Sequence, residues 1–197
     1  MADSLYLNLW FSSFSEAEMM PRLLCVLKQF PFSATRSGVG HIRVHGIAWS
    51  EPEIFEQSSD YNVTPEQAAS LADEFLHDDN GYIFEAAWDL WSPGEAGEAW
   101  IKRPRPVKFL VHGTRFEEGV WQENGHIQID LGLDSEFLLE GADLDALAEM
   151  RIKENIETLV NFTNGIEKHC GVRARVLWSE SEENLAQKLI TRLQRVN

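Results

Sequence analysis

His41, Arg43 and His45 alternate along "HIRVHG" and share one face of that segment if it is extended. Two imidazoles and a guanidinium in a row are the nearest thing in the chain to a catalytic row, with the chemistry for proton transfer. Metal binding by the pair fails on distance: four residues of strand put the histidines ~13 Å apart, against metal–nitrogen bonds of ~2 Å. A solvated polar face is the plainer expectation. His112 and His126 form a second pair, with Glu117, Glu118, Glu123, Asp130 and Asp134 close in sequence. If Asn124-Gly125 is a two-residue hairpin turn, Glu123 faces His126 across it. Such a pair serves either acid–base work or an ordinary surface contact worth under ~1 kcal/mol. No D-x-D-x-D-G loop accompanies these acids, so a calcium site is not expected.

Glu85 and Asp89 lie on one face of "YIFEAAWDLW". Their separation of ~13 Å along a strand exceeds the ~5–9.5 Å of paired glycosidase carboxylates. Ion pairing with Arg173 and Arg175 is expected instead. The Gly-containing "RSGVGH" precedes a strand, which is the wrong context for cradling phosphate, and no serine sits in a G-x-S-x-G elbow. No catalytic residue, metal or cofactor is therefore assigned.

Tryptophan followed by serine closes three apolar runs, at Trp49-Ser50, Trp91-Ser92 and Trp178-Ser179. After Trp178 the serine and the acids behind it read as the start of a helix, and a short helical turn is expected after Trp49 as well. If the three strands run parallel, Trp49, Trp91 and Trp178 meet at their C-terminal ends, where open α/β sheets place ligands. His45, Arg43 and His112 would join them in an aromatic ligand-binding pocket.

The elements that must position these residues follow from periodicity. Strands are expected at Leu5–Phe11, "HIRVHGIAW", "YIFEAAWDLW", "VKFLVHGTRF", "HIQIDLGL" and "VRARVLW". Helices are expected after the capping box Ser15-x-x-Glu18, starting close to Pro21. Others follow Thr64-Pro65, begin near Asp143, and follow Ser179. "SPGEAGEAWIKRPRP" reads as turn and linker, with a subdomain boundary at 92–106 inside a single domain of 1–197. Its basic cluster, Lys102 to Arg105, is expected to lie on the protein's own acidic surface. The fold class is α+β, an α/β sandwich: a mixed sheet of about six strands with helices packed on it. "VHGIAWSE" (44–51) and "VHGTRFEE" (111–118) share Val-His-Gly and an aromatic three residues later, an echo consistent with duplicated ferredoxin-like halves.

Composition narrows the function. The 197 residues are 44% hydrophobic and include seven tryptophans, while 32 acids against 17 Lys and Arg give a net charge of −15. Phosphate backbones and anionic membranes both require cationic surface, so neither is an expected partner. No apolar run approaches the ~18 residues of a membrane span, and the N-terminus lacks the basic region of a signal peptide. Cys25 and Cys170 share no C-x-x-C spacing. Cys25 reads as a small buried hydrophobe, and a reducing compartment, the cytoplasm, is expected. Two readings of function follow. The first is a non-catalytic module that binds a protein partner or forms a homo-oligomer. The second is a ligand-binding domain or enzyme with an aromatic pocket at the strand ends.

Overall fold

The computed structural model describes residues 3–94, 99–138, 145–180 and 185–194. In chain order the elements are β1 (Ser4–Phe11), α1 (Glu16–Gln29), β2 (Val39–Gly46), β3 (Glu53–Val63), α2 (Pro65–Asp73), β4 (Asn80–Ser92) and β5 (Ile101–His112). A single 3-10 turn (Phe116–Glu118) follows, then α3 (Trp121–Asn124), β6 (Ile127–Leu133), α4 (Ser135–Leu138), α5 (Ala146–His169), β7 (Val172–Ser179) and α6 (Leu185–Gln194).

The strands form one seven-stranded sheet in the order β3-β2-β4-β5-β6-β1-β7. Every neighbouring pair is antiparallel, which corrects the expected mixed sheet. Helical crossovers do join strands of like direction, β3 to β4 and β6 to β7. In each case an antiparallel strand, β2 or β1, lies between them. The ferredoxin-like duplication is not confirmed by this order, since the two Val-His-Gly segments fall on β2 and β5, one on either side of β4.

Two transverse rows build the core. Val44, Tyr82, Val111, Ile127 and Leu9 stand opposite one another across five strands, and so do Ile42, Phe84, Phe109, Ile129 and Leu7. All ten are at most 1% exposed. Helices α1 and α5 cover these rows with Met19, Leu23, Val26 and Leu27, and with Ile152, Ile156, Leu159, Phe162 and Ile166. Phe30 joins the layers, touching Trp88, Phe109 and Phe162 at ring separations of 5.2–5.7 Å.

Local signals placed several boundaries. Thr64 caps α2, with Pro65 in its first turn and Gln67 completing the box. The box at Ser15 and Glu18 likewise opens α1. Pro21 then falls inside α1 rather than near its start, leaving one backbone carbonyl without its helical N–H. Residues after Trp49 form a turn leading into β3, and no helix forms there. β3 escapes periodicity because it is an edge strand: "EIFEQSSDYNV" is wetted on both faces and shows no apolar alternation. At Asn124-Gly125 there is no hairpin. Trp121–Asn124 is one helical turn, and Gly125, at φ 85°, turns the chain into β6.

The proline-rich basic stretch is a strand and not a linker. Lys102 to Arg105 pair with Trp91 to Trp88 on β4. β6 pairs only with residues Lys108 to Val111, so Pro104 and Pro106 occupy a stretch where β5 has one strand neighbour and the missing N–H groups cost no ladder bond. Self-attraction does hold it: Arg105 reaches Glu136 at 2.6 Å. Residues 95–98 of the proposed boundary and Asp143 lie outside the described residues.

Cys25 and Cys170 are joined in a disulfide that ties α1 to the end of α5 across 145 residues of chain. This removes the ground for expecting a reducing compartment, since disulfides persist where surroundings are oxidising. A crosslink closing so long a loop restricts the unfolded chain strongly, with typical effects of about 2–5 kcal/mol. Replacing both cysteines by alanine is expected to lower unfolding free energy by that amount in urea titrations, and reductant is expected to slow the intact protein's migration in denaturing electrophoresis. Identical mobility with and without reductant would count against the crosslink.

Candidate functional site

The register places His45, Gly81 and His112 opposite one another on β2, β4 and β5. Opposed residues share a face, so both imidazoles rise from the side away from the helices with the bare Gly81 backbone between them. Two connections close over this end. The β2–β3 turn returns Trp49, whose ring lies edge-on to His45 (5.2 Å), to His112 (5.9 Å) and to Phe116 (4.6 Å). The β5–β6 connection supplies Phe116, which rests on Gly81 so closely that an added Cβ would lie 2.5 Å from its ring. The echo in the sequence marks this pairing. The aromatic three residues after Gly46 is Trp49, the one three residues after Gly113 is Phe116, and the two rings pack together.

The backbone is strained where the connections meet. Four described non-glycine residues have positive φ, and three of them are here: Ile47 (70°), Glu117 (45°) and Glu118 (54°). Each costs of order 1–2 kcal/mol, and a β-branched isoleucine is especially disfavoured. Specific bonds hold them. Ile47 donates its N–H to Asp79 and accepts from the Glu117 N–H, both at 2.8 Å. The Glu117 carboxylate accepts the Trp49 N–H at 3.0 Å.

Hydrogen bonds fix the histidine tautomers. His112 Nδ1 lies 2.8 Å from the Gly125 carbonyl and His45 Nδ1 lies 3.0 Å from that of Glu51. A carbonyl only accepts, so both Nδ1 atoms carry a proton, which leaves Nε2 the lone pair in a neutral ring. These Nε2 atoms are buried and have no hydrogen-bond partner. For His45 the nearest acid, Glu53, stands at 3.8 Å. Burial pushes the His112 pKa down. His126 has the opposite tautomer, since its Nδ1 accepts the Phe11 N–H at 3.0 Å. Its ring stacks on Trp121 (4.5 Å) and Phe14 (4.6 Å), and it does not meet the Glu123 carboxylate. Desolvation, with a smaller contribution from His112, lowers its pKa to about 4.

Of the six candidate residues, the fold gathers Trp49, His45 and His112 and scatters the other three. β4 runs against β2, so Trp91 sits at the far end of the sheet, between Arg151 (3.6 Å) and Lys102 (5.7 Å), with its indole N–H on Glu154. Trp178 is on β7, the opposite edge, stacked on Tyr6 at 4.8 Å. Arg43 binds Glu85 at 3.0 Å in the middle of the uncovered face. That contact also corrects the expected pairing of Glu85 with Arg173 or Arg175. Arg175 faces the helices instead and reaches Glu167 at 2.6 Å, while Asp89 accepts the Ala34 N–H. Phe116, Trp121, His126, Glu117 and Gly81 complete the cluster; the echo marks Phe116, the sequence pairs His126 with His112 and sets Glu117 near them, and Trp121 and Gly81 carry no signal. Phe116 fills the space between the two imidazoles, so they do not share a ligand position. Among the described residues one set of three ligating side chains does come together, Glu16, His77 and Asp78. It is an exposed group elsewhere, and Arg115 already binds Asp78 at 2.7 Å.

The sheet face away from the helices carries two further rows. Arg43, Ile83, Leu110, Gln128, Asn8 and Val176 form one, and His41, Glu85, Lys108, Asp130, Tyr6 and Trp178 the other. Ile83, Leu110, Tyr6, Trp10 and Trp178 are half-buried there, and Val176 is 48% exposed. Beyond the β2–β3 turn at the histidine end, the β5–β6 connection leans over this face. Its Trp121 carbonyl accepts the Trp10 indole N–H at 3.0 Å, and its Glu123 carbonyl takes the Asn8 amide at 3.5 Å. The described residues thus form a two-layer α+β fold and leave one face of an antiparallel sheet largely uncovered, and no described helix is long and apolar enough to cross a membrane. No protein-family model, curated protein or solved structure matches it.

Two outcomes follow. Gly81→Ala drives a methyl group into Phe116 and is expected to cost roughly 1–3 kcal/mol by urea denaturation. An unfolded histidine takes its proton near pH 6.5 but folded His126 only near 4. Between these values the unfolded chain binds more protons, so stability is expected to fall on acidification through that window. Above it this group is expected to add no pH dependence. Urea midpoints for the wild type and His126→Asn, which keeps an acceptor near Nδ1 but does not titrate, measure this histidine's share.

Proposed function

We propose that this protein is a non-catalytic binding module that engages a protein partner, or a second copy of itself, through the uncovered face of its sheet. One observation carries the reading. Helices α1 and α5 bury the central rows of one face, while the other presents half-exposed Tyr6, Trp10, Trp178, Ile83 and Leu110 beside exposed Val176. Large rings next to aliphatic side chains are the groups that anchor protein interfaces. Several polar groups among them are already paired, Arg43 with Glu85 and His41 with Glu56 at 2.9 Å, so less desolvation of these opposes contact. Trp49 favours this reading over a pocket at the strand ends, because its ring packs edge-on against both imidazoles and Phe116.

The test uses Val176→Glu and Trp178→Glu in the intact protein. Sedimentation over roughly a hundredfold range of concentration is expected to show the wild type associating and both variants monomeric. If the occupant is a different protein, the wild type stays monomeric and both variants lose that partner in affinity capture. Val176 is exposed, so its variant is expected to keep its unfolding free energy within about 0.5 kcal/mol. A wild type that neither associates nor retains any protein dependent on Val176 overturns the reading.

A further inference from the structure

Three histidines lie under the loops that close one end of the sheet, and none is bonded to a carboxylate in the way a charged imidazole requires. His45 is 6% exposed, His126 5% and His112 fully buried. As neutral rings they fit. Two donate from Nδ1 to carbonyls, and the third accepts at Nδ1 from Phe11. A proton added to His112 at Nε2 would be an N–H with no acceptor in place. A proton added to His126 at Nδ1 would point at the Phe11 N–H and break that bond.

The charged groups around them differ. His45 has Glu53 at 3.8 Å, itself 41% exposed and free to rotate toward it. His112 has the Glu117 carboxylate, which already accepts the Trp49 N–H, and it has His126 as a neighbouring base. The charge that bears on His126 is that of His112 once protonated; Arg22, paired with Glu18 at 3.4 Å, lies 5.2 Å over the neighbouring Phe11 ring. The ring faces of Trp121 and Phe14 return part of the cost of charging it. Charging both histidines puts two cations side by side beneath one connection.

That connection, residues 113–126, is held by the same rings. Trp121 stacks on His126, donates its indole N–H to Thr114 at 3.1 Å, and offers its carbonyl to Trp10. Glu117 and Glu118, both at positive φ, store strain within it. We infer that the connection is an acid-operated flap: protonation of His112 and His126 releases 113–126 from the sheet, exposing Phe116 and Trp121 and uncovering Asn8 and Gln128. The uncovered surface extends the face described above, but the flap does not depend on that face having a partner.

Amide hydrogen exchange on the whole protein, corrected for the intrinsic effect of pH, tests this at about pH 7 and about pH 5. The expected result is a rise of ~tenfold or more in exchange across 113–126 while β4 stays protected. The double variant His112→Asn/His126→Asn keeps a donor and an acceptor near the two Nδ1 positions without titrating, and it is expected to stay closed at both pH values. Equal protection of 113–126 at both pH values in the wild type overturns the inference, and so does equal opening in the double variant. Should the double variant fail to fold, ring resonances of the wild type decide: His112 and His126 must charge together with the loss of protection, and charging without it also overturns the inference.

Discussion

Register is the constraint on which the rest of this molecule depends. Five strands are locked to one another by two rows of side chains that are fully or almost fully buried, one through Tyr82 and one through Phe84. A slip of one residue would turn either row toward solvent and bring Gly81, Ile83 and Glu85 into the core. Burying ten large apolar groups opposes that slip by far more than any contact on the other face. The same register sets His45, Gly81 and His112 in line, and it sets Tyr6 beside Trp178. The functional candidates are by-products of the pairing that fills the core.

One end of the sheet spends some of that stability. Three histidines are buried under aromatic rings, and three non-glycine residues adopt left-handed backbone to bring those rings together. Gly81 is what makes the arrangement fit, because Phe116 occupies the volume a side chain would need. Most of the core and the Cys25–Cys170 crosslink lie in the helical layer, on the other side of the sheet from His45 and His112, while His126 touches the core at Phe11 and Phe14. Rigidity is therefore concentrated on one side, and the groups most sensitive to protonation lie on the other.

The net charge of −15 has a place in this division. Acidic side chains gather in the connections around the histidine end, at Glu51, Glu53, Asp78, Asp79, Glu117 and Glu118. Arg115 bridges Asp78 at 2.7 Å and Asp79 at 2.9 Å. The uncovered face is by contrast a mixture of apolar rings and paired charges, as a contact surface is. A long acidic edge, β3, guards one side of the sheet against indiscriminate strand pairing.

By itself the sequence determined the alternation of each covered strand, the caps of α1 and α2, and the Val-His-Gly echo that marks Trp49 and Phe116 as partners. These are local properties, set by neighbours within a few residues, and local patterns record them. Tertiary structure alone decided the strand order, and with it the scatter of Trp91 and Trp178 away from Trp49. It decided that β7 presents Val176 and Trp178 outward: alternation separated them from Arg175 but could not say which side the helices would take. β3 was invisible because an edge strand needs no apolar face, and the Cys25–Cys170 pairing because nothing in their spacing brings positions 145 residues apart together. The face a strand buries and the neighbour it pairs with are settled by long-range packing, which no short stretch of chain encodes.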